Sequence, residues 1–332
     1  LKKLLDRWRN ALQLFNHIDP SMKNQGGPMP RNIYCNRQTF STACRFCISI
    51  AVFLSIWGCA ATQSNTVMIK DTSTTVKADT IISGNSGETI SFDAMMEDLD
   101  QYQMIFVGEK HAIQSQHANE LQIIRAIFEH NPSMVVGMEM FDRSYQPVLD
   151  LWSAGALDEE TFLRKVQWYA NWRYNFALYR DILLFIKEHK IKIVALNIPS
   201  YIASRIRVGG IENLLDEDRS YLPKEMDTQN KAYRDYVEKV FNQHQFGGNT
   251  KFDDFYMAQC VWDEAMAESV AHNLGNKQIV VLAGDGHIQY KYGIPDRAFR
   301  RTGIPFRTIY QASAGDEIEL SIADYIWITP AN

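Results

Sequence analysis

Short apolar runs rich in β-branched residues recur along this chain, separated by long stretches with helical periodicity. They are "MIFVGE" (104–109), "MVVGMEMF" (134–141), "IKIVALNI" (191–198), "KQIVVLAGDGH" (277–287), "PFRTIY" (305–310) and "DYIWIT" (324–329). Their hydrophobicity is continuous rather than alternating, so each reads as a strand covered on both faces. Helical stretches between such strands imply crossover connections. The expected fold class is α/β, a mainly parallel central sheet flanked by helices. Two connections, 142–190 and 199–276, are longer than one crossover helix requires. They read as helical cap insertions beside the sheet rather than a separate folding domain.

The chain has 332 residues, 46% of them apolar and 22% charged, with a formal net charge of −5. That is an ordinary globular composition, and its acidic balance gives no electrostatic case for binding nucleic acid. Cys35, Cys44, Cys47 and Cys59 crowd the N-terminal part and only Cys260 lies beyond, which rules out a disulfide-built scaffold. No GxGxxG, P-loop, GxSxG or HExxH pattern is present.

The segment "RFCISIAVFLSIWGC" (45–59) places a basic residue before a short apolar stretch that ends in Gly58-Cys59. A bilayer span needs about 20 apolar residues, so this fits a secretory signal better than a transmembrane helix. Ile56-Trp57-Gly58-Cys59 resembles a lipobox, which makes Cys59 the lipidation site. Residues 1–58 are read as an N-terminal extension and lipoprotein signal peptide, 59–95 as a flexible tether rich in Ser and Thr, and 96–332 as the folded domain. The expected location is the cell envelope, lipid-anchored to a membrane, the outer one if the cell is Gram-negative.

Polar clusters follow three of the strands: Glu109 and His111, then Glu139, then Asp285 and His287. In open α/β sheets, ligands bind just outside the carboxyl ends of strands, so these groups are expected to converge. His117 shares a helix face with Leu121, Ile124 and Phe128 and is expected to point inward. Gln259 and Asp263 are one turn apart and face Met266 and Val270, either as a buried polar pair or as part of the site. The stretch 141–185 is dense in Trp, Tyr and Phe, for which core packing is the ordinary explanation. It also offers what a porphyrin needs: aromatic walls, Arg173 and Arg180 as cations, and Tyr174 and Tyr179 as candidate axial ligands, with His287 in reserve.

Taken together, "VGEKHAIQSQH", "VVGMEMFDRSYQPVLDLWSAGALDEETFL", "YRDILLFIKEHKIKIVALNIP", "YMAQCVWDEAMAESV" and "VVLAGDGHIQYKYGIPDRAFRR" resemble the ChaN-like haem-binding uptake lipoproteins. These belong to the wider Tiki/TraB and erythromycin-esterase-like superfamily. The family often has two adjacent histidines where this chain has Gln116-His117. The resemblance implies a non-enzymatic, haem-binding lipoprotein used in haem and iron acquisition, with haem-transport components and a second copy as candidate partners. The alternative it implies is a metal-dependent hydrolase, with Glu109, His111, Glu139 and His287 catalytic and His111, His117 and His287 around a divalent ion.

Overall fold

The computed structural model describes residues 65–243 and 250–331. The signal segment, Cys59 and the other N-terminal cysteines lie outside the described residues. In chain order, β1 (Thr66–Ile69), β2 (Thr74–Lys77), β3 (Thr80–Ser83) and β4 (Thr89–Ile90) come first, and α1 (Phe92–Leu99) leads into β5 (Met104–Glu109). Next, α2 (Gln114–His130) leads into β6 (Val135–Asp142). The first long connection carries α3 (Gln146–Ser153), α4 (Glu159–Val166), α5 (Trp168–Asn171) and α6 (Arg180–Glu188), ending at β7 (Lys192–Asn197). The second carries α7 (Ser200–Gly209), α8 (Asp216–Arg219), α9 (Lys231–Gln243) and α10 (Phe252–Leu274), ending at β8 (Ile279–Gly284). Finally, α11 (Ile294–Thr302) precedes β9 (Phe306–Ser313), β10 (Glu317–Ile318) and β11 (Tyr325–Thr329).

The main sheet has the order β4-β3-β11-β9-β5-β8-β6-β7. From β11 to β7 every neighbouring pair is parallel, as the continuous apolar runs predict, while β3 and β4 extend one edge antiparallel. Alternate residues of β5 serve two cores. Ile105 and Val107 pack with α2, α3 and α6 on one face. Met104 and Phe106 pack with α10 and α11 on the other. A 23-residue helix such as α10 can lie under the whole sheet, and its Met266, Val270 and Leu274 are buried there.

One expectation needs correcting. The stretch read as a flexible tether, 59–95, contains β1 to β4 and the first half of α1. Composition misled because Thr is β-branched and favours strands. Paired apolar residues such as Val67 with Ile69 and Ile81 with Ile82 bury against β11 and its neighbours. The long insertions are helical and lie beside the sheet, as expected. The first covers one face of the sheet and the second the opposite face, so they supply the two helical layers as well as the rim over the strand ends. Among the described residues no helix is long and apolar enough to cross a membrane.

Candidate functional site

Strands β5, β8 and β6 end side by side, with Glu109 in register with Gly284. The helix after β5 goes to one face, the helix after β8 to the other, and those after β6 return to the first. Neighbouring strands whose connections leave to opposite faces open a crevice at their carboxyl ends. The expected polar groups stand there.

Glu109 is 1% exposed at the end of β5. Its Oε1 accepts from His111 Nδ1 at 2.7 Å and from the Tyr179 hydroxyl at 2.6 Å. Burial alone would raise the Glu109 carboxyl, but the imidazoles of His111 and His117 beside it hold it at about 2. The loop carrying His111 is pinned from α2: Gln116 Oε1 accepts from Lys110 N at 2.6 Å, and its Nε2 donates to Gln311 O on β9 at 3.0 Å. His117 is buried, as its helix face implies.

A register shift in β6 between Met138 and Asp142 frees that strand from β7, and Glu139 sits within the bulge. Its Oε2 accepts from Gly284 N at 2.6 Å, and its Oε1 lies 3.6 Å from His287 Nε2. Glycine at 284 is required by this closure. A Cβ there would lie 2.9 Å from His111 Cε1 and 3.5 Å from Glu139 Oε2. His287 Nδ1 donates to Asp263 Oδ1 at 2.6 Å, and Asp263 also takes the Tyr233 hydroxyl. Burial would lower the His287 imidazole, but the charges of Glu139 and Asp263 outweigh it and hold the ring up at about 9. His111 is likewise raised, since the Glu109 bond and the Glu139 charge overcome its desolvation.

Glu109, His111, Glu139 and His287 therefore form one continuous polar cluster, with Asp263 behind it. Beside them lies a cavity of about 250 Å³ lined by His111, Glu139, Trp172, Tyr174, Asn197 and Trp262, among others. Gln259 is not part of this chain of contacts; its Oε1 is buried without a hydrogen-bond partner. Tyr179 also departs from expectation. It is fully buried, its hydroxyl is given to Glu109, and burial and then the Glu109 charge push its phenol far above the usual range, so no phenolate faces a ligand there. Arg180 is spent on Glu159 at 2.8 Å. Arg173 is exposed, at a left-handed φ of 70° that sets the turn before Tyr174. Tyr174 is exposed at the cavity mouth, its ring 5.0 Å from His111 and 5.6 Å from Trp172, and among the described residues no hydrogen bond engages its hydroxyl.

The three imidazoles His111, His117 and His287 do not meet around one point. His117 Nε2 donates to the His111 carbonyl at 3.2 Å, while its Nδ1 faces Glu109 and Glu120, so it turns no nitrogen toward His287. Sequence reasoning missed Glu120, Tyr233 and Trp262. Only Glu120 left a signal, a carboxylate one turn after His117 on an otherwise apolar face.

The family model for haem-binding uptake, Tiki superfamily, ChaN, matches residues 95–298. This chain belongs to that family. Its fold is that of the Campylobacter jejuni ChaN, whose structure is described as cofacial haem binding; the two are 19% identical with a TM-score of 0.62, covering 74% of this chain and 95% of that one. An erythromycin esterase in its open conformation aligns at 13% identity with a TM-score of 0.41, covering 70% of this chain and 77% of that one. No curated protein compared with this family member matches it.

Proposed function

We propose that this chain binds haem at the mouth of the strand-end cavity and serves haem and iron acquisition from a lipid-anchored position. The observation that carries the reading is Tyr174: an aromatic hydroxyl with no hydrogen-bond partner among the described residues, set beside Trp172 and His111 at the cavity of a chain in a haem-binding family. A phenolate oxygen is a known ligand for ferric haem, and bound haem would supply the iron centre itself. Tyr174 would hold the iron, the surrounding rings the porphyrin, and Arg173 an acidic side chain of it.

The cavity of about 250 Å³ is smaller than the roughly 300–1,000 Å³ of enclosed ligand sites, so a porphyrin suits the mouth rather than the interior. That leaves one of its faces outward. The Campylobacter jejuni protein is described as binding haem cofacially, and a second copy meeting this one haem to haem would cover that face here. No observation favours the hydrolytic alternative, and the likeness to an erythromycin esterase is too distant to carry it.

Hemin titration of the full chain tests the reading. Saturable binding with a shifted ferric Soret band is expected, and Tyr174→Phe should displace or erase that band while leaving the fold intact. Unchanged spectra in Tyr174→Phe would refute the ligand assignment, and absence of saturable binding would refute the function.

A further inference from the structure

Where α2 packs over the end of β5, one imidazole and two carboxylates face one another. The His117 Nε2 proton is used on the His111 carbonyl at 3.2 Å, which leaves Nδ1 a lone pair in the neutral ring. That Nδ1 points at Glu109 Oε2 and Glu120 Oε2, each 3.0 Å away. One ligand atom from each of the three residues lies within 4.8 Å of the others. Two carboxylates and an imidazole lone pair this close repel one another unless a cation sits among them. Both glutamates are buried, at 1% and 0% exposure, and Glu109 Oε2 and Glu120 Oε1 have no hydrogen-bond partner. Orphaned oxygens on fully buried carboxylates are costly to keep and call for an occupant.

We infer that Glu109, His117 and Glu120 bind one divalent transition-metal cation, at a site separate from the strand-end cavity. A proton on His117 is the smallest cation able to fill the gap. That proton bonds Glu120 Oε2 and faces Glu109 Oε2, but it leaves Glu120 Oε1 without a partner. A divalent ion would take one ligand atom from each of the three side chains.

The geometry fits an ion. Adjacent ligands of an octahedral site with bonds near 2.1 Å lie about 3.0 Å apart. One imidazole with two carboxylates suits first-row ions such as Mn(II), Fe(II) or Zn(II). The outer partners are in place: the Tyr179 hydroxyl and His111 Nδ1 hold Glu109 Oε1, and the His111 carbonyl fixes the His117 tautomer. A path exists as well, because His117 borders a groove of about 510 Å³ between α2 and α6, lined also by Gln114, Leu121, Arg125, Leu178 and Ile182.

The test is a Mn(II) titration of the chelator-stripped full chain, read by loss of the free-ion electron paramagnetic resonance signal. One Mn(II) per chain is expected, competed by Zn(II). Glu120→Gln, which keeps the shape, should weaken binding by at least about tenfold, while Glu139→Gln should not. A second measurement needs no variant: on adding Zn(II), the His117 Nδ1 nitrogen resonance should move from its protonated to its metal-bound position. No saturable Mn(II) or Zn(II) binding overturns the proposal, as does a His117 that remains an imidazolium in excess Zn(II). Binding lost in Glu139→Gln but kept in Glu120→Gln places the ion in the strand-end cavity and also overturns it. Hemin titration of the same samples reads the haem site independently, so either conclusion can fail alone.

Discussion

Two tyrosines five residues apart separate packing from chemistry. Both were legible as candidates because the sequence shows an aromatic segment, but not which hydroxyl is engaged. Tyr179 supplies a buried hydrogen bond to Glu109, whereas Tyr174 leaves its oxygen at the surface. Tyr179→Phe should cost about 1–3 kcal/mol in a urea unfolding experiment, the usual penalty when a buried acceptor loses a donor. It should leave the hemin spectrum unchanged, the reverse of Tyr174→Phe. His287 makes a prediction in pH. Its folded value of about 9 lies above the ordinary 6.5 for histidine, so its contribution is complete below pH 6.5 and is lost as pH rises through 9. That rise is worth about 3 kcal/mol at most. The stability difference between the intact chain and His287→Gln should therefore be largest near pH 6 and shrink toward pH 10. A constant difference across that range would show that His287 is not charged in the folded protein.

At the scale of elements, the central strands were legible and the edge was not. A run such as "IVVLAG" in β8 is apolar at every position because both faces are covered, and no helix of that length would be. The strands β1 to β4 are short and rich in Thr and Ser. Their order comes from pairing with β10 and β11, which local composition cannot reveal. The loop between β5 and α2 shows the same limit. Gln116 and His117 are neighbours, yet Gln116 turns to β9 and His117 to Glu109. A position read as a missing histidine is thus a tie between elements. Gln116→Ala should leave Lys110 N and Gln311 O without their buried partner, at about 1–3 kcal/mol for each group left unpaired. Faster hydrogen exchange at the Lys110 amide, with exchange in β6 unchanged, would show the His111 loop released locally. Unchanged exchange at Lys110 would show that something else holds that loop.

For the whole molecule, the strand-end position of Glu109, Glu139 and His287 could be anticipated because a doubly wound sheet has only one kind of place where its helical layers part. What could not be read was distance from a membrane, and the fold now bears on it. If Cys59 carries the lipid, only residues 60–65 separate it from β1. An extended chain reaches at most about 3.5 Å per residue, so the domain would sit within about 20 Å of the lipid surface rather than at the end of a long tether. Charge does not provide the attachment, since the chain carries a net −5 and anionic lipids would repel it. On the proposed lipid-anchored reading acylation would carry it alone, and one acyl chain anchors only marginally, so several would be needed for stable attachment. Cys59→Ala should move the protein from the membrane pellet to the supernatant in cell fractionation. Hemin binding by the released chain should be unaffected, because Tyr174 and its neighbours draw nothing from the anchor. A Cys59→Ala chain that stays wholly with the membranes, and resists high salt, would mean that the apolar segment 46–57 holds the protein as an uncleaved anchor.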